Sequence, residues 1–181
     1  LESAAAGPGE PFHCRGYLHS PDRQRCELFV RRGIGHGEVT LADAIAVSCN
    51  VYFFHFAGSL GGRPLVDWAK QFGFGRTTGV DLPGEAAGSL STPESLGELQ
   101  SAAIGQGVLT ATPLQVLRMT AAVANGGRLL RPSVVKQVRG AGGQGRENKD
   151  NAHDHSPSAP FLSQGALNTI RRGLERVVAD P

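Results

Sequence analysis

The sequence predicts a mainly helical chain, and two kinds of local signal support this prediction. Helix starts are marked by two capping boxes, in which Thr40 precedes Asp43 by three residues and Thr112 precedes Gln115 by three. Helix ends are marked by glycines, which readily adopt the left-handed conformation that follows many helices. These glycines are Gly61, Gly73 and Gly126.

The first 39 residues lack helical or strand periodicity. Residues 1–39 are rich in Gly, Pro, His and Arg, a composition typical of loops. We therefore expect a loop-rich entry segment. Within it, residues 33–37 carry three glycines. We interpret this run as a close approach to the next helix, because it lacks the Lys-Ser/Thr pair of a phosphate-binding turn.

Residues 40–127 are predicted to form a helical unit. In order, we expect helices over 41–47, 51–60 and 64–72, then an irregular Gly- and Pro-rich connection over 73–92, and a helix from Pro113 to Asn125. We interpret the aromatic residues of this unit as core packing rather than as a binding platform. They are Tyr52, Phe53, Phe54, Phe56, Trp68, Phe72 and Phe74.

The last third of the chain combines an extended segment, a loop and a helix. Residues 129–138 are expected to be extended. Residues 140–160 are polar and Gly-rich, so we predict a mobile loop there. Apolar residues then recur at helical spacing and predict an amphipathic helix over 161–179. They are Leu162, Leu167, Ile170, Leu174, Val177 and Val178.

Composition bounds the possible functions. The formal net charge is +2, with acidic and basic residues interspersed, which argues against a nucleic-acid-binding surface. No apolar run is long enough to span a bilayer. The chain begins without Met, in what reads as the tail of a helix, so we expect it to be a piece of a larger protein.

The three cysteines leave the redox compartment open. Cys14 and Cys26 fit free thiols, a disulfide across a short loop, or zinc ligation, since His13, His19 and His36 lie nearby in the sequence. The chain has no Cys-x-x-Cys or His-x-x-x-His spacing. We therefore expect free thiols first, and we predict neither a metal nor a cofactor.

The main candidate site is a polar interruption in an apolar stretch. Ser48 and Asn50 interrupt the otherwise apolar residues 44–56, and buried polar side chains need hydrogen-bond partners or water. We interpret the interruption as a junction between two helices, with both side chains turned into a cleft. The alternative is one helix with two polar residues on its outer face, since Ser-x-Asn by itself is a common pattern.

An ordered set of motifs resembles the transpeptidase domain of class B penicillin-binding proteins, in particular its members that act in cell elongation. The motifs lie at 12–17, 35–37, 44–53, 72–75, 78–85, 104–107, 112–115, 125–127 and 173–178. Single motifs are loose, but the set occurs in the family's order and covers most of the chain. The resemblance implies an α+β fold, of which residues 1–181 would be a partial domain that contains mainly the helical subdomain.

The family uses three catalytic motifs, and the chain matches the second. These are a Ser-x-x-Lys with the nucleophile, a Ser-x-Asn and a Lys-Thr-Gly. Ser48 and Asn50 match the Ser-x-Asn. The resemblance places the first motif before Leu1 and the third after Pro181, beyond the helix at 161–179. This chain alone is therefore expected to be inactive.

Two other stretches match a catalytic motif only in part. Ser133 and Lys136 have the Ser-x-x-Lys spacing, but on an extended chain residues three apart face opposite ways, so the lysine could not activate the serine. The stretch at 77–79 reads Thr-Thr-Gly and lacks the lysine of the third motif. We predict that neither is catalytic.

The resemblance implies a serine D,D-transpeptidase that cross-links peptidoglycan stem peptides through an acyl-enzyme and binds β-lactams. Ser48 would relay a proton to the leaving amine, and Asn50 would bind the substrate carbonyl. Gln106 is a second substrate-binding candidate, although Gly105 and Gly107 would equally explain a turn there. Cys49 is interpreted as packing. Expected partners are stem peptides, β-lactams and a glycan polymerase of the elongation machinery, at the periplasmic face of the inner membrane through a membrane anchor.

Two alternatives remain open at this point. One keeps the fold but changes the chemistry, to a β-lactam sensor or a serine β-lactamase. The other is a non-catalytic helical module that binds a partner, with Ser48 and Asn50 as ordinary surface residues.

Overall fold

The computed structural model describes residues 9–107, 109–134, 137–139, 145–147 and 160–179. Among these residues it has seven helices and four short strands. The strands are β1 (Phe12–Cys14), β2 (Gly37–Val39), β3 (Gln137–Arg139) and β4 (Gly145–Glu147). The helices are α1 (Glu27–Arg32), α2 (Leu41–Ala46), α3 (Asn50–Leu60), α4 (Gly62–Gln71), α5 (Leu96–Ala103), α6 (Pro113–Ala124) and α7 (Gln164–Ala179).

The chain divides into two compact units. The first unit contains Leu1–Trp68, Ser91–Leu109 and Leu162–Pro181, and the second contains Ala69–Leu90 and Thr110–Phe161. The predicted mainly helical character is confirmed in the first unit, whereas the described part of the second contains α6, the end of α4, β3, β4 and irregular connections.

The entry segment is more regular than its composition predicted. Strands β1 and β2 pair antiparallel, with Cys14 opposite Gly37, and α1 lies between them in the chain. Elements this short show no periodicity in the sequence, because three to six residues complete at most two turns or pleats. Gly35 allows a close approach, as predicted, but to the backbone of β1 rather than to a helix, since a Cβ on Gly35 would overlap the carbonyl oxygen of Cys14.

The two predicted capping boxes are both present. At α2, the Asp43 amide donates to Thr40 Oγ1 at 3.4 Å, and the Thr40 amide donates to Asp43 Oδ2 at 2.8 Å. At α6, Thr112 and Gln115 make the same reciprocal pair. The predicted helices at 51–60 and 64–72 are confirmed as α3 and α4. Helix α5 was missed, although Ser95 caps it by accepting from the Glu98 amide at 3.2 Å.

The core of the first unit surrounds the end of β1 and the start of α3. Its buried members are Cys14, Cys26, Val39, Ala44, Cys49, Val51 and Tyr52. Phe12, Phe53 and Phe56 pack against them, and the Tyr52 and Phe56 rings lie 4.5 Å apart. The interpretation of these aromatic residues as packing is therefore confirmed for Tyr52, Phe53 and Phe56.

Helix α7 packs closely along α2 within the first unit. Gly173 makes this approach possible, since a Cβ there would lie 2.8 Å from Ile45 Cβ and 3.0 Å from the Ala42 carbonyl oxygen. The contact brings Arg176 to Asp43, with which it forms an ion pair. Helix α2 is thus held at its first turn and along its side.

The second unit stabilises the predicted irregular connection through a few polar side chains. Gln115, buried to 1% exposure, donates its amide to the carbonyl oxygens of Arg76 at 2.7 Å and Ala87 at 2.8 Å. The Glu85 carboxylate accepts from the amides of Thr78 at 2.6 Å and Gly79 at 2.9 Å. The connection therefore has a defined conformation without regular secondary structure.

Strands β3 and β4 form an antiparallel pair in the second unit, with Val138 opposite Arg146. The loop prediction for 140–160 missed β4. The rest of that segment, apart from Pro160, lies outside the described residues, as does Lys136.

Candidate functional site

Ser48 and Asn50 lie at a junction between two helices, as predicted. Helix α2 ends at Ala46, and α3 begins at Asn50. Ser48 between them has φ +52°, in the left-handed region. This conformation costs a residue other than glycine about 1–2 kcal/mol. Strain of this kind at a non-glycine residue often occurs at functional sites.

The junction alternates between exposed and buried residues. Ser48 is exposed, Cys49 is fully buried, and Asn50 is half-buried. Ser48 can therefore hydrogen-bond to water, and Cys49 is the residue of the junction that is fully buried. Within the described part of the chain, the side chains of Ser48 and Asn50 make no hydrogen bond. Both remain available to an external group.

Backbone hydrogen bonds define the path of the junction. The Cys49 amide donates to the Ala44 carbonyl oxygen at 2.9 Å, and the Ser48 amide donates to the Ile45 carbonyl oxygen at 3.3 Å. Cys49 is extended and precedes the first turn of α3. The turn is therefore tied to α2 on one side and to the core, through the Cys49 side chain, on the other.

Asp43 anchors the helix that leads into the junction. Its pKa is lowered from about 3.8 to about 2, first by the hydrogen bond from the Thr40 hydroxyl, then by the Thr40 amide and by Arg176. Sequence reasoning identified the bond to Thr40 but not the contact with Arg176, which lies 133 residues away in the chain and leaves no local signal. Asp43 is thus a positioning residue for α2.

Gln106 is on an exposed turn after α5. Gly105 and Gly107 flank it with φ of +77° and +90°, and the Gln106 amide donates to the Ser101 carbonyl oxygen at 2.9 Å. No hydrogen bond among the described residues joins its side chain to Ser48 or Asn50. The glycines account for the turn, and a role for Gln106 in binding stays a prediction.

A cluster of sulfur and nitrogen donors lies directly beneath the junction. Cys14 Sγ is 3.9 Å from Cys26 Sγ and 3.6 Å from His36 Nδ1. The donor atoms of Cys14, His36 and Cys49 all lie within 4.8 Å of one another. The three cysteines are buried free thiols, as expected first from the sequence, and Cys14, His36 and Cys49 could together hold a metal ion.

Burial governs the protonation of this cluster. It raises the pKa of Cys49 to about 12 and raises that of Cys26, and it lowers the pKa of His36. In the absence of a cation Cys26, Cys49 and His36 are therefore neutral at pH 7, and the thiols of Cys26 and Cys49 are poor nucleophiles. Cys49 packs in the core as predicted, but sequence reasoning did not connect it with His36. His13 and His19 are exposed and lie outside this cluster.

The partial matches to the other motifs have structural roles. Ser133 lies outside any helix, and its hydroxyl donates to Asp81 Oδ2 at 3.0 Å. The Val134 amide donates to the other Asp81 oxygen at 2.7 Å. We expected Ser133 in an extended segment, and it is non-helical but belongs to no strand. Thr78 and Gly79 bind Glu85, so the stretch at 77–79 belongs to a loop.

A family model described as the penicillin binding protein transpeptidase domain matches residues 1–181. The chain belongs to the penicillin-binding protein transpeptidase family. It is 40% identical over 137 residues to peptidoglycan D,D-transpeptidase MrdA of Acinetobacter baumannii, which covers 70% of this chain and 20% of that protein. It is 36% identical over 176 residues to stage V sporulation protein D of Bacillus subtilis, which covers 94% of this chain and 26% of that protein.

Solved structures of this family have the same fold. The chain matches Pseudomonas aeruginosa PBP2 with a TM-score of 0.78 and 28% identity, over 97% of this chain and 40% of that one. It matches Helicobacter pylori PBP2, in a complex with MreC, with a TM-score of 0.76 and 26% identity, over 97% and 32%. The α+β transpeptidase fold expected from the motifs is confirmed.

The chain spans about a fifth to a quarter of the length of these two curated relatives. None of its described helices is both long enough and apolar enough to cross a membrane.

Proposed function

We propose that this chain supplies the Ser-x-Asn element of a peptidoglycan D,D-transpeptidase, within a longer protein that cross-links stem peptides and reacts with penicillin. The observation that carries the proposal is the junction of α2 and α3. There a strained, exposed Ser48 and a half-buried Asn50 offer uncommitted polar side chains at the position of the family's second motif.

The reaction is acyl transfer through a serine ester. The serine of the family's Ser-x-x-Lys motif attacks the carbonyl of the penultimate D-alanine, and its proton passes to the nitrogen of the leaving D-alanine as the peptide bond breaks. An amine of a second stem peptide then attacks the ester and releases the serine. With penicillin, the β-lactam amide bond opens instead, and the acyl group stays on the serine.

Ser48 and Asn50 have different roles in this scheme. The Ser48 hydroxyl both donates and accepts hydrogen bonds, so it relays the proton between the nucleophile and the leaving nitrogen. The Asn50 amide donates to a carbonyl oxygen of the substrate and holds the stem peptide in register. Gln106 contributes a further hydrogen bond to the substrate from its exposed turn.

Membership of the penicillin-binding protein transpeptidase family also supports a proposal for the partners and the location of the protein. Stem peptides are the substrates, β-lactams acylate the same serine, and a glycan polymerase of the elongation machinery supplies the strands to be cross-linked. In support, one structural relative is a PBP2 in complex with MreC. Another belongs to a peptidoglycan synthase complex that coordinates polymerization and crosslinking. The protein would work at the periplasmic face of the inner membrane, held there by a membrane anchor.

The experiment measures acylation of the natural protein that contains this chain by a fluorescent penicillin. Ser48→Ala should slow acylation by at least about a hundredfold, the usual size of a general acid–base contribution. Asn50→Ala should slow it by a similar factor, because a misplaced substrate also costs about a hundredfold. Ser59→Ala, a change of an exposed serine at the end of α3, is the matched control and should leave the rate unchanged. Unaltered acylation in a folded Ser48→Ala variant would remove Ser48 from the mechanism. Rapid release of hydrolysed penicillin from the unaltered protein would indicate a β-lactamase instead.

A further inference from the structure

We propose that Arg176 of α7 is a positioning residue for the acyl-transfer reaction. Through its ion pair with Asp43 it holds α2 in place, and with α2 the turn that carries the Ser48 hydroxyl. This inference rests on the proposed function, because it assigns to Arg176 an effect on the reaction that acts only through Ser48.

Two kinds of contact hold α7 against α2. Gly173 brings the helices close together, since a Cβ there would lie 3.0 Å from Ile45 Cγ2 and 3.0 Å from the Ala42 carbonyl oxygen. A glycine has no side chain that could interlock with its neighbours, so this contact limits the distance between the helices but resists sliding only weakly. Arg176 lies one turn further along the same face of α7 and donates to Asp43 Oδ1. This directional bond fixes the position of α2 along α7.

Both oxygens of the Asp43 carboxylate are hydrogen-bonded. Oδ2 accepts from the Thr40 amide at 2.8 Å and from the Thr40 hydroxyl at 2.6 Å, and Oδ1 accepts from Arg176. Asp43 therefore joins the N-cap of α2 through one oxygen to α7 through the other. Among the described residues, Arg176 is the only cationic side chain in an ion pair with Asp43. Loss of Arg176 would thus leave α2 without its charged contact to α7.

Helix α2 connects this contact to Ser48 through its backbone. The helix contains six residues, fewer than two turns, so its first turn and its end move together. The Asp43 carbonyl oxygen accepts from the Val47 amide at 2.9 Å, and the Ile45 carbonyl oxygen accepts from the Ser48 amide at 3.3 Å. A displacement of Asp43 therefore displaces the backbone of Ser48.

Ser48 depends on this backbone for the position of its hydroxyl. Its φ of +52° lies in the left-handed region, which a serine adopts only where the surrounding structure holds it. The side chain is exposed, and in the described part of the chain no hydrogen bond orients the hydroxyl. The turn alone thus places the group that relays the proton. A misplacement of about 1 Å can cost about a hundredfold in rate.

The experiment measures single-turnover acylation, by a fluorescent penicillin, of the natural protein that contains this chain. Varying the penicillin concentration separates its dissociation constant from the first-order rate constant of acylation. Arg176→Ala should lower the rate constant about tenfold to a hundredfold and change the dissociation constant by less than about twofold, because the relay stabilises the transition state rather than bound penicillin. Arg176→Lys keeps the charge and should recover part of the loss. Arg172→Ala, at an exposed position of the same helix, is the control and should change neither constant.

Combining the change with Ser48→Ala tests whether Arg176 acts through Ser48. In a Ser48→Ala background, Arg176→Ala should lower the rate constant by less than about threefold, since the hydroxyl that it positions is gone. An equal loss in both backgrounds would overturn the proposal and assign Arg176 a general role in stability. The rate constant describes the molecules that react, so a smaller folded fraction lowers the amplitude instead. If Arg176→Ala does not fold, Arg176→Lys is compared in the same two backgrounds.

The same measurements separate this inference from the proposed function. Unchanged acylation in Arg176→Ala, with Ser48→Ala slowed as expected, would overturn the role of Arg176 and leave that of Ser48 intact. Unchanged acylation in Ser48→Ala would contradict the role proposed for Ser48, and with it the role of Arg176.

Discussion

Asp43 of α2 forms an ion pair with Arg176 of α7, and the same carboxylate closes the capping box with Thr40. One side chain therefore joins the first turn of α2, its N-cap and a helix from the far end of the chain. Because α2 leads directly into the turn that carries Ser48, the contacts of this carboxylate fix the position of the helix from which the turn starts.

The first prediction concerns Asp43→Asn. The change removes the charge that binds Arg176 and weakens the cap, at a cost of about 1 kcal/mol after allowance for solvent screening. The amides of α2 should then exchange with deuterium about fivefold faster in the natural protein that contains this chain. Glu27→Gln breaks an exposed pair with Arg31 on α1. This change should alter the exchange of the α1 amides much less than Asp43→Asn alters that of the α2 amides. Equal effects of the two changes would contradict a special role for Asp43.

The second prediction concerns acid. The pKa of Asp43 is lowered to about 2 in the folded chain, so its charged form is favoured by folding. Its contribution is therefore present above its ordinary pKa of 3.8 and is lost as the pH falls towards 2. Protection of the α2 amides should fall over this range in the unaltered protein and fall less in Asp43→Asn. If protection of the α2 amides fell equally in the unaltered protein and in Asp43→Asn, the acid effect would not come from Asp43.

The third prediction concerns Gly173. A Cβ at this position would lie 2.8 Å from Ile45 Cβ, so Gly173→Ala should destabilise the protein by about 1–3 kcal/mol through overpacking. Gly165→Ala in the first turn of the same helix meets only Ser163 Oγ at 4.0 Å and should stabilise by up to about 1 kcal/mol. Urea unfolding of both variants, followed by a probe in α7, measures the difference. If both changes are stabilising, then α2 and α7 do not pack as closely as described.

The fourth prediction concerns Gln115. Replacing it by Ala leaves the carbonyl oxygens of Arg76 and Ala87 without their donor and removes the cap partner of Thr112. We expect a loss of about 2–3 kcal/mol, because two partly buried carbonyl oxygens would lose their donor and the cap of α6 would be weakened. Gln71→Ala, at an exposed position of α4, should stay within about 0.5 kcal/mol. Similar losses from both changes would show that Gln115 does not stabilise the 73–92 connection.

The fifth prediction concerns the chain expressed alone. No serine of residues 1–181 is predicted to have an activating lysine one helical turn away, and the hydroxyl of Ser133 is bound to Asp81. Without such a base a serine remains protonated and a weak nucleophile. Incubation with excess penicillin should give no covalent adduct by intact-protein mass spectrometry. A stoichiometric adduct on Ser133 would move the active site there.

Local hydrogen bonds explain which elements were predictable. The capping boxes at Thr40 and Thr112 join residues three apart, so their signals are complete within a few positions. The helices α2 and α6 were found for this reason, and α3 and α4 were found from their apolar residues and the glycines at their ends. The entry elements β1, α1 and β2 carry no comparable signal, because their stability comes from pairing and from the core around Cys14 and Tyr52. Helix α5 has a cap signal at Ser95, but its eight residues provide little periodicity.

The sequence by itself determined helices α2, α3, α4, α6 and α7, the two capping boxes, the family motifs, and the position of Ser48 and Asn50 between two helices. Each of these depends on residues close together in the chain. Only the tertiary structure decided that Ser48 is exposed while Cys49 is buried, that Arg176 reaches Asp43, and that Cys14 and Cys49 meet His36. Such contacts depend on the path of the backbone between distant residues, which no spacing within the sequence specifies.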